Sequence, residues 1–245
     1  SIISYGILMA GLAVGGLIGA VLALRVQMTA MPELVALING FGGGASVLVA
    51  SASFIEAVDL GRADDQLAVA AALTALIGAV TFTGSLVAFA KLRESLKWSG
   101  FGGIQFFNAA GMTAGVVLVV LVAAQPGERT WLWALVAVGL VVGATGTLPI
   151  GGADMPVIIA LLNSFSGLAA SATGFVISNN VLIISGSLVG ASGIILTRLM
   201  CQAMNRSLIN VLFGVMESGG GDDDELAFAD GIDFEAHMHA ALRQE

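Results

Sequence analysis

Charged residues are scarce in this sequence: Asp, Glu, Lys and Arg make up 11% of its 245 residues, less than half the usual share in a soluble domain. Hydrophobic residues reach 57% and the mean hydropathy is +0.96, so we predict an integral membrane protein. Aromatic residues are also few, at 7%, whereas 33 glycines indicate closely packed helices rather than a barrel of alternating strands. The predicted fold class is all-α, a polytopic bundle of transmembrane helices.

Cysteine and histidine are almost absent, which excludes several kinds of site. Cys201 is the single cysteine, so no disulfide can form within the chain. Both histidines, His237 and His239, lie in the polar tail, so the apolar region holds no histidine-based triad or metal site. The net charge of −8 comes largely from acids between Asp222 and Glu245 and predicts no nucleic-acid surface. We therefore expect no catalytic, cofactor-binding or metal-ligating residue in this chain.

Seven apolar runs are long enough to cross the hydrocarbon layer, which takes roughly 20 helical residues. They lie near 3–24, 32–55, 67–90, 104–124, 130–150, 156–177 and 180–202. Short connections predict that consecutive spans are antiparallel neighbours. Six basic residues fall on one side (25, 91, 93, 97, 198 and 206) against two on the other (62 and 129). The positive-inside rule then predicts an external amino terminus and a cytoplasmic tail.

An internal repeat relates the two halves of the apolar region. The segment from Met31-Pro32 to Gly43 recurs from Met155-Pro156 to Gly167, with Met, Pro, Ala, Leu, Asn, Phe and Gly in register. Because both copies start on the same side, the repeat is parallel and relates spans one to three to spans five to seven. The ionisable difference at the join is Asp154, which stands where the first copy has Ala30.

Polar residues inside the spans are the candidates for function, because lipid offers them no partner. Helical spacing puts Asn163 and Ser166 on one stripe of span six, and the same types of residue recur in spans two and seven. Two interpretations stay open for such stripes, a hydrated passage and close helix packing through small residues. The full set of candidates is Asn39, Asn163, Ser166, Ser192 and Gly193.

Two acidic residues have two interpretations each. Asp154 is placed to cap the helix that begins at Met155, and it is also on the same side as Arg206, with which it could form a breakable ion pair. Glu56, at the far end of span two, is either a solvated loop acid or an outer proton acceptor.

Several motifs resemble those of a known family. They are Gly-Gly-Ala-Asp154-Met-Pro, Leu-Leu-Asn163-Ser-Phe-Ser-Gly, Ser178-Asn-Asn, Gly186-Ser-Leu-Val-Gly-Ala-Ser192-Gly193 and Met204-Asn205-Arg206-Ser207. In this order they resemble the membrane part of the β subunit of proton-translocating nicotinamide nucleotide transhydrogenase. The resemblance covers essentially the whole hydrophobic region.

That resemblance implies a proton channel coupled to hydride transfer between NAD(H) and NADP(H), which bind in soluble domains outside the membrane. Asp154 and Arg206 would relay the state of the NADP(H) domain, Asn163 would line the proton path, and Ser192 and Gly193 would lie on the helix leading out. The implied partners are the membrane and NAD(H)-binding α-type subunits and a second copy of the chain. The implied location is the bacterial inner membrane.

Two departures from the family pattern matter. Some members carry a channel histidine near the outer end of span two, where this chain has Phe54-Ile-Glu56-Ala-Val. The histidine would come from an α-type subunit, or Glu56 would replace it. The family's β subunit also has about two more spans upstream and an NADP(H)-binding domain downstream. We therefore expect residues 1–214 to be the channel domain and 215–245 to be an acidic linker and a short helix leading to that domain.

Composition and repeats alone leave another function open. A secondary transporter for a small solute, with its site between the two helix triplets, would show the same spans. A purely structural membrane subunit would leave Asp154 dispensable.

Overall fold

The computed structural model describes residues 5–98 and 100–213, and these form helices joined by short turns. Seven helices are long and apolar enough to cross a membrane. They are α1 (Tyr5–Arg25), α2 (Met31–Asp59), α3 (Asp65–Leu92), α4 (Ile104–Ala124), α5 (Arg129–Thr147), α6 (Met155–Val176) and α7 (Asn180–Ala203), followed by a short α8 (Leu208–Phe213). The predicted all-α membrane bundle is confirmed. The predicted linker and helix of 215–245, with both histidines, lie outside the described residues.

Helix α3 is the centre of the bundle and packs against α2, α4, α5 and α6. Helix α5 packs on α3 and α4 rather than on α6, so the expectation that all consecutive spans are neighbours is wrong here. Glycine explains the choice: a Cβ at Gly139 would lie 2.8 Å from that of Ala79. The hydroxyl of Thr83 on α3 also donates to the carbonyl of Leu140 on α5 at 2.7 Å.

Helix α1 buries none of its residues against the rest of the described chain. Its glycine seam, Gly11, Gly15 and Gly19, has no atom of another element within 4 Å of where a Cβ would lie. This seam is therefore not used in packing within the described part of the chain. The equivalent seams of α5 and α7 are used, against α3 and α6 respectively.

The internal repeat is visible as two helix pairs that share their local geometry, α2–α3 and α6–α7. Both α2 and α6 follow a 3₁₀ turn and have proline in their first turn. At their starts Ala30 and Asp154 have nearly the same backbone angles, φ −94° and −90°. Both α3 and α7 begin with a side-chain cap, in which Asp64 accepts from the Leu67 N–H and Asn179 from the Leu182 N–H.

The four helices of these pairs also end alike, in Schellman motifs. The residue after each C-cap has positive φ, and the next N–H bonds back to a carbonyl in the last turn, for example Asn179 to Gly174 at 2.8 Å and Arg206 to Cys201 at 2.9 Å. The four positive-φ residues are Gly61, Glu94, Ser178 and Asn205. The predicted triplets thus contain an equivalent pair each, whereas α1 and α5 differ in packing.

Helices α6 and α7 cross at very short range. A Cβ at Gly186 would lie 2.5 Å from the backbone nitrogen of Ser171, and one at Gly193 would lie 2.8 Å from the Cα of Ser164. This approach lets the Ser164 hydroxyl donate to the Gly190 carbonyl at 2.7 Å. Glycine at these positions therefore fixes the distance between the two helices.

Candidate functional site

Asp154 lies at the start of α6 and is bound to Arg206, which follows α7. The Arg206 Nη1 donates to the Asp154 Oδ2 at 3.0 Å, so the two groups form an ion pair with a hydrogen bond. The partners differ in exposure: the Asp154 side chain is 12% accessible and that of Arg206 is 54% accessible. If the two groups separate, the arginine is solvated but the carboxylate stays behind, poorly solvated, so breaking the pair is costly.

The carboxylate of Asp154 does not cap α6. It occupies the N-cap position, but its side chain accepts no hydrogen bond from the first turn, so the capping interpretation is not realised. Its second oxygen, Oδ1, is buried and has no hydrogen-bond partner among the described residues. A buried carboxylate oxygen without a donor is costly. Asp154 is therefore held in a state that a proton, a water molecule or a new donor would stabilise.

An apolar cluster surrounds this ion pair. It brings together the α5–α6 linker, the first turns of α6, the end of α7 and α8, and its buried members include Ile150, Met155, Ile158, Cys201 and Val211. The Schellman motif after α7 turns the chain at Asn205 and so directs Arg206 back over this cluster. The pair is thus fixed by the ends of two adjacent helices.

The first helix pair carries a weaker counterpart of this ion pair. Glu33 in the first turn of α2 lies 3.6 Å from the Nε of Arg93 at the end of α3; the Arg93 side chain is exposed and that of Glu33 is half-buried. An exposed pair at this distance contributes about 0–1 kcal/mol. Each helix pair thus has an ion pair between an acid at the start of its first helix and an arginine after its second. The acid is buried only in the second pair.

A strip of polar and small residues lies between the parallel helices α2 and α6. The amide nitrogen of buried Asn39 donates to the Ile159 carbonyl at 3.4 Å, one turn before Asn163. Further along, Gly42 faces Ser166: a Cβ at Gly42 would lie 2.8 Å from the Ser166 Oγ. Ser46 shares this face of α2 by helical spacing and donates to the Gly42 carbonyl at 3.0 Å. We call these residues the polar strip: Asn39, Gly42, Ser46, Asn163 and Ser166.

The polar strip lies further along α6 than the ion pair, and helical spacing puts Asn163 about half a turn around the axis from Asp154. Nine residues separate Asp154 from Asn163, about 14 Å at the rise of an α-helix. Asn163 and Ser166 are half-buried, and the side chain of Asn163 makes no hydrogen bond within the described part of the chain. Its amide is therefore available to water or to a group from a partner chain.

Other predicted residues lie away from this strip. Ser192 is exposed on the outer face of α7 and donates to the carbonyl of its own helix at Val189, while Gly193 packs on Ser164 in the α6–α7 contact. Glu56 is exposed at the opposite end of α2. The path assigned to these three stays a prediction.

A stripe of small and polar residues on α3, which includes Thr74, Gly78 and Thr81, serves packing. Its members face α2 closely, for example Gly78 toward the Gly43 carbonyl, and the hydroxyls of Thr74 and Thr81 donate to carbonyls of their own helix at 2.8 and 2.6 Å. Among the described residues there is no cluster of His, Cys, Asp and Glu that could hold a metal ion.

The comparisons with known proteins decide the family. The model of the NAD(P) transhydrogenase beta subunit matches residues 1–240. The NAD(P) transhydrogenase subunit beta of Rhodospirillum rubrum is 42% identical over 227 residues, which cover 90% of this chain. This chain belongs to the NAD(P) transhydrogenase beta subunit family. The sequence given for one defined strain of the same species matches with the same identity and coverage.

The resemblance drawn from the motifs is thereby confirmed. The chain spans about half the length of the curated relatives it matches, 49% of the Rhodospirillum rubrum subunit.

Sequence reasoning missed several polar contacts of this beta subunit. Ser171 bonds the Ser187 hydroxyl at 2.9 Å across the α6–α7 contact, and Thr145 on α5 bonds Asn108 on α4 at 2.5 Å. Lys91 bonds two carbonyls of the α5–α6 linker, Leu148 and Ile150. Small residues such as Ser171 and Gly186 are typical of a close helix contact. Nothing in the sequence connects Lys91 to its carbonyls.

Proposed function

We propose that this chain is the proton-translocating membrane region of a nicotinamide nucleotide transhydrogenase, in which proton flow is coupled to hydride transfer between NAD(H) and NADP(H). The observation that carries the proposal is the buried Asp154 carboxylate, which is ion-paired to Arg206 at the start of the same helix that carries Asn163 and Ser166 of the polar strip. An ion pair at the mouth of a polar path can act as a gate.

In this proposal the ion pair has two states. With Arg206 bound, the Asp154 charge is neutralised and the start of α6 is held against the end of α7. When Arg206 leaves, the buried carboxylate must gain a proton or a water molecule, because Oδ1 already lacks a partner. Arg206 lies just before the part of the chain that leads to the expected NADP(H) domain, so the state of that domain can bias the pair.

The polar strip would carry water rather than ionise. Asn39, Asn163 and Ser166 have no proton to exchange near neutral pH, so their part is to hold hydrogen-bonded water between α2 and α6. Glu56 at the opposite end of α2, or a histidine supplied by an α-type subunit, would exchange protons there. Ser192 and Gly193 would serve the end of the path where α7 leads out.

The remaining parts of the enzyme follow from the family. We propose that NAD(H) and NADP(H) bind in soluble domains and not in this chain, and that the membrane and NAD(H)-binding α-type subunits and a second copy of the chain complete the complex. We place the complex in the bacterial inner membrane, with the Asp154 end toward the cytoplasm. Residues 215–245 would be the linker and helix leading to the NADP(H) domain.

The alternative, a secondary transporter with a site between the halves, finds less support. A groove of about 610 Å³ does lie between α3 and α6. Apart from Asp65 and Gln66 in the first turn of α3, its lining is apolar or, as for Ser171, already hydrogen-bonded to α7. It offers few free groups to bind a polar solute.

The proposal is tested by Asp154→Asn in the complete enzyme reconstituted in vesicles. The amide keeps the volume but removes the charge that holds Arg206, so we expect proton pumping and coupled hydride transfer to fall together, by about tenfold or more. Glu33→Gln is the matched control, because it removes the more accessible acid of the counterpart pair at the same end of the bundle. Wild-type pumping in Asp154→Asn would refute the proposal, as would an equal loss in Glu33→Gln.

A further inference from the structure

Lys91 is a membrane-end lysine whose ammonium group is turned into the protein. It lies in the last turn of α3 and is half-buried, whereas Arg93 and Lys97 just beyond it are exposed. Its Nζ donates to the carbonyls of Leu148 and Ile150, the latter at 2.9 Å. Within the described part of the chain Lys91 forms no ion pair with a carboxylate. Its role is therefore not explained by a charge partner.

The two carbonyls belong to the linker between α5 and α6. Leu148 is the C-cap of α5, and the carbonyls at the end of a helix have no donor within it. Both Leu148 and Ile150 have buried side chains, so this part of the linker has little access to water. A lysine ammonium is well suited to this position, since it has three donors and favours the negative end of the helix dipole.

The same linker carries Asp154. Ile150 is followed by Gly151, whose carbonyl accepts the Asp154 N–H at 3.2 Å and so forms the 3₁₀ turn that presents the carboxylate. Gly151 and Gly152 have open space where a Cβ would lie, so side-chain packing does not hold them. Ile150 is the last residue before Asp154 that is held in position, by the hydrogen bond from Lys91 and by packing in the apolar cluster.

We propose that Lys91 is a positioning residue, which ties the end of α3 to the α5–α6 linker and thereby fixes where Asp154 meets Arg206. This proposal rests on the proposed function for its effect on coupling, but the tie itself does not. Helix α3 contacts α2, α4, α5 and α6, so the tie connects the ion pair to the centre of the bundle. A displacement of α3 would reach Asp154 through two hydrogen bonds and four residues of linker.

The direct test is hydrogen–deuterium exchange of the peptide spanning 148–154 in the complete, assembled enzyme. In Lys91→Met the side chain keeps its length and loses its donors, and we expect these amides to exchange about tenfold faster. Lys91→Arg keeps donors on a long side chain and should restore slow exchange. Lys97→Met removes an exposed cation from the same end of the chain and should leave exchange unchanged. Unchanged exchange in Lys91→Met would overturn the proposal.

Kinetics provide the second measurement. Because the nucleotides bind elsewhere, we expect Lys91→Met to lower kcat for coupled hydride transfer several-fold with KM for both nucleotides unchanged, and Lys91→Arg to recover it. Faster exchange with wild-type coupling would support the tie and refute its role in coupling, whereas the role of Asp154 itself is tested by Asp154→Asn. A rise in KM at constant kcat would count against the proposal. Should Lys91→Met fail to assemble, Lys91→Gln, whose amide is too short to reach both carbonyls, is expected to give the same exchange result.

Discussion

Gly42 and its neighbour Gly43 make contacts with different helices. Gly42 faces the Ser166 hydroxyl across the α2–α6 contact, in the middle of the polar strip. Its neighbour Gly43 faces α3 instead, where a Cβ would meet the Gly78 carbonyl at 2.7 Å. Two adjacent glycines thus have different functions, one leaving room within the strip and the other permitting backbone contact.

Gly42→Ala tests the proton path at the residue scale. The added methyl group would lie 2.8 Å from the Ser166 Oγ, which can rotate away, so we expect normal folding but proton pumping reduced several-fold by the narrower strip. Pumping is measured in vesicles with a pH-sensitive dye. Gly44→Ala is the control, since its methyl group meets the Phe82 ring at 3.1 Å, away from α6. Equal pumping by both variants would place the path elsewhere.

The sequence predicted some site residues well and others poorly. Asp154 and Arg206 were assigned to the same side from the charge distribution alone, and the structure joins them at 3.0 Å. The stripe on α6 was harder, because Asn163 and Ser166 face α2 whereas Gly167, next along the chain, faces α7. Successive residues of a helix are rotated by about 100° around its axis, so the sequence predicts the direction of a stripe only to within that angle. Two neighbouring helices can lie within the same angle.

At the scale of elements, the crossing of α6 and α7 is a closely packed contact of the bundle. Gly167 and Gly186 bring the two backbones together, with hypothetical Cβ positions 2.5 Å from a backbone nitrogen of the other helix. Around them the hydroxyls of Ser164 and Ser171 donate to the carbonyls of Gly190 and Ile183. In a membrane such packing and hydrogen bonds, rather than exclusion of water, hold helices together.

Gly186→Ala tests this contact. The new methyl group would meet the Ser171 nitrogen and the Gly167 carbonyl, which cannot rotate away, so α7 must shift from α6. We expect the free energy of unfolding in detergent, measured by titration with a denaturing detergent, to fall by about 1–3 kcal/mol. Gly15→Ala, whose methyl group meets nothing within 4 Å, is expected to unfold as wild type does. A Gly186→Ala protein as stable as Gly15→Ala would show that the crossing tolerates separation.

Element boundaries were predictable from hydropathy, but partners were not. The predicted fourth span, 104–124, agrees with α4, and the others differ by a few residues at each end. Hydropathy did not distinguish α1, which buries nothing, from α3, which is at the centre, because lipid and protein interior both favour apolar residues. The short α8 and the 3₁₀ turns were missed because a few residues give no periodic signal.

At the scale of the whole molecule, the two ends of the bundle differ in their charged residues. At the Asp154 end the bundle carries Arg206, Arg93 and Lys97, with Lys91 turned inward, and at the Glu56 end Arg129 bonds Asp59. The excess of cations at the Asp154 end is the basis for placing that end in the cytoplasm.

Labelling from each side of the membrane tests this orientation. In a Cys201→Ser background, Ser95→Cys lies at the Asp154 end and Gly127→Cys at the Glu56 end, and both positions are exposed. We expect a membrane-impermeant maleimide to modify Gly127→Cys in spheroplasts and Ser95→Cys only in inverted vesicles. The reverse pattern would invert the assignment and move Asp154 to the outside.

The matched turns of the two helix pairs bear on how the chain is made. In each pair the backbone groups of the connecting turn find hydrogen-bond partners within the turn. A Schellman motif provides some of these bonds, and the side-chain caps Asp64 and Asn179 provide others. A hairpin with a self-sufficient turn can enter the bilayer as a unit during synthesis, without waiting for later segments. Because α6 packs on α2 and α3, the second hairpin can find its place only on the first. The first hairpin is thus available when the second is made, and the ion pair of Asp154 can form only after Arg206 has left the ribosome.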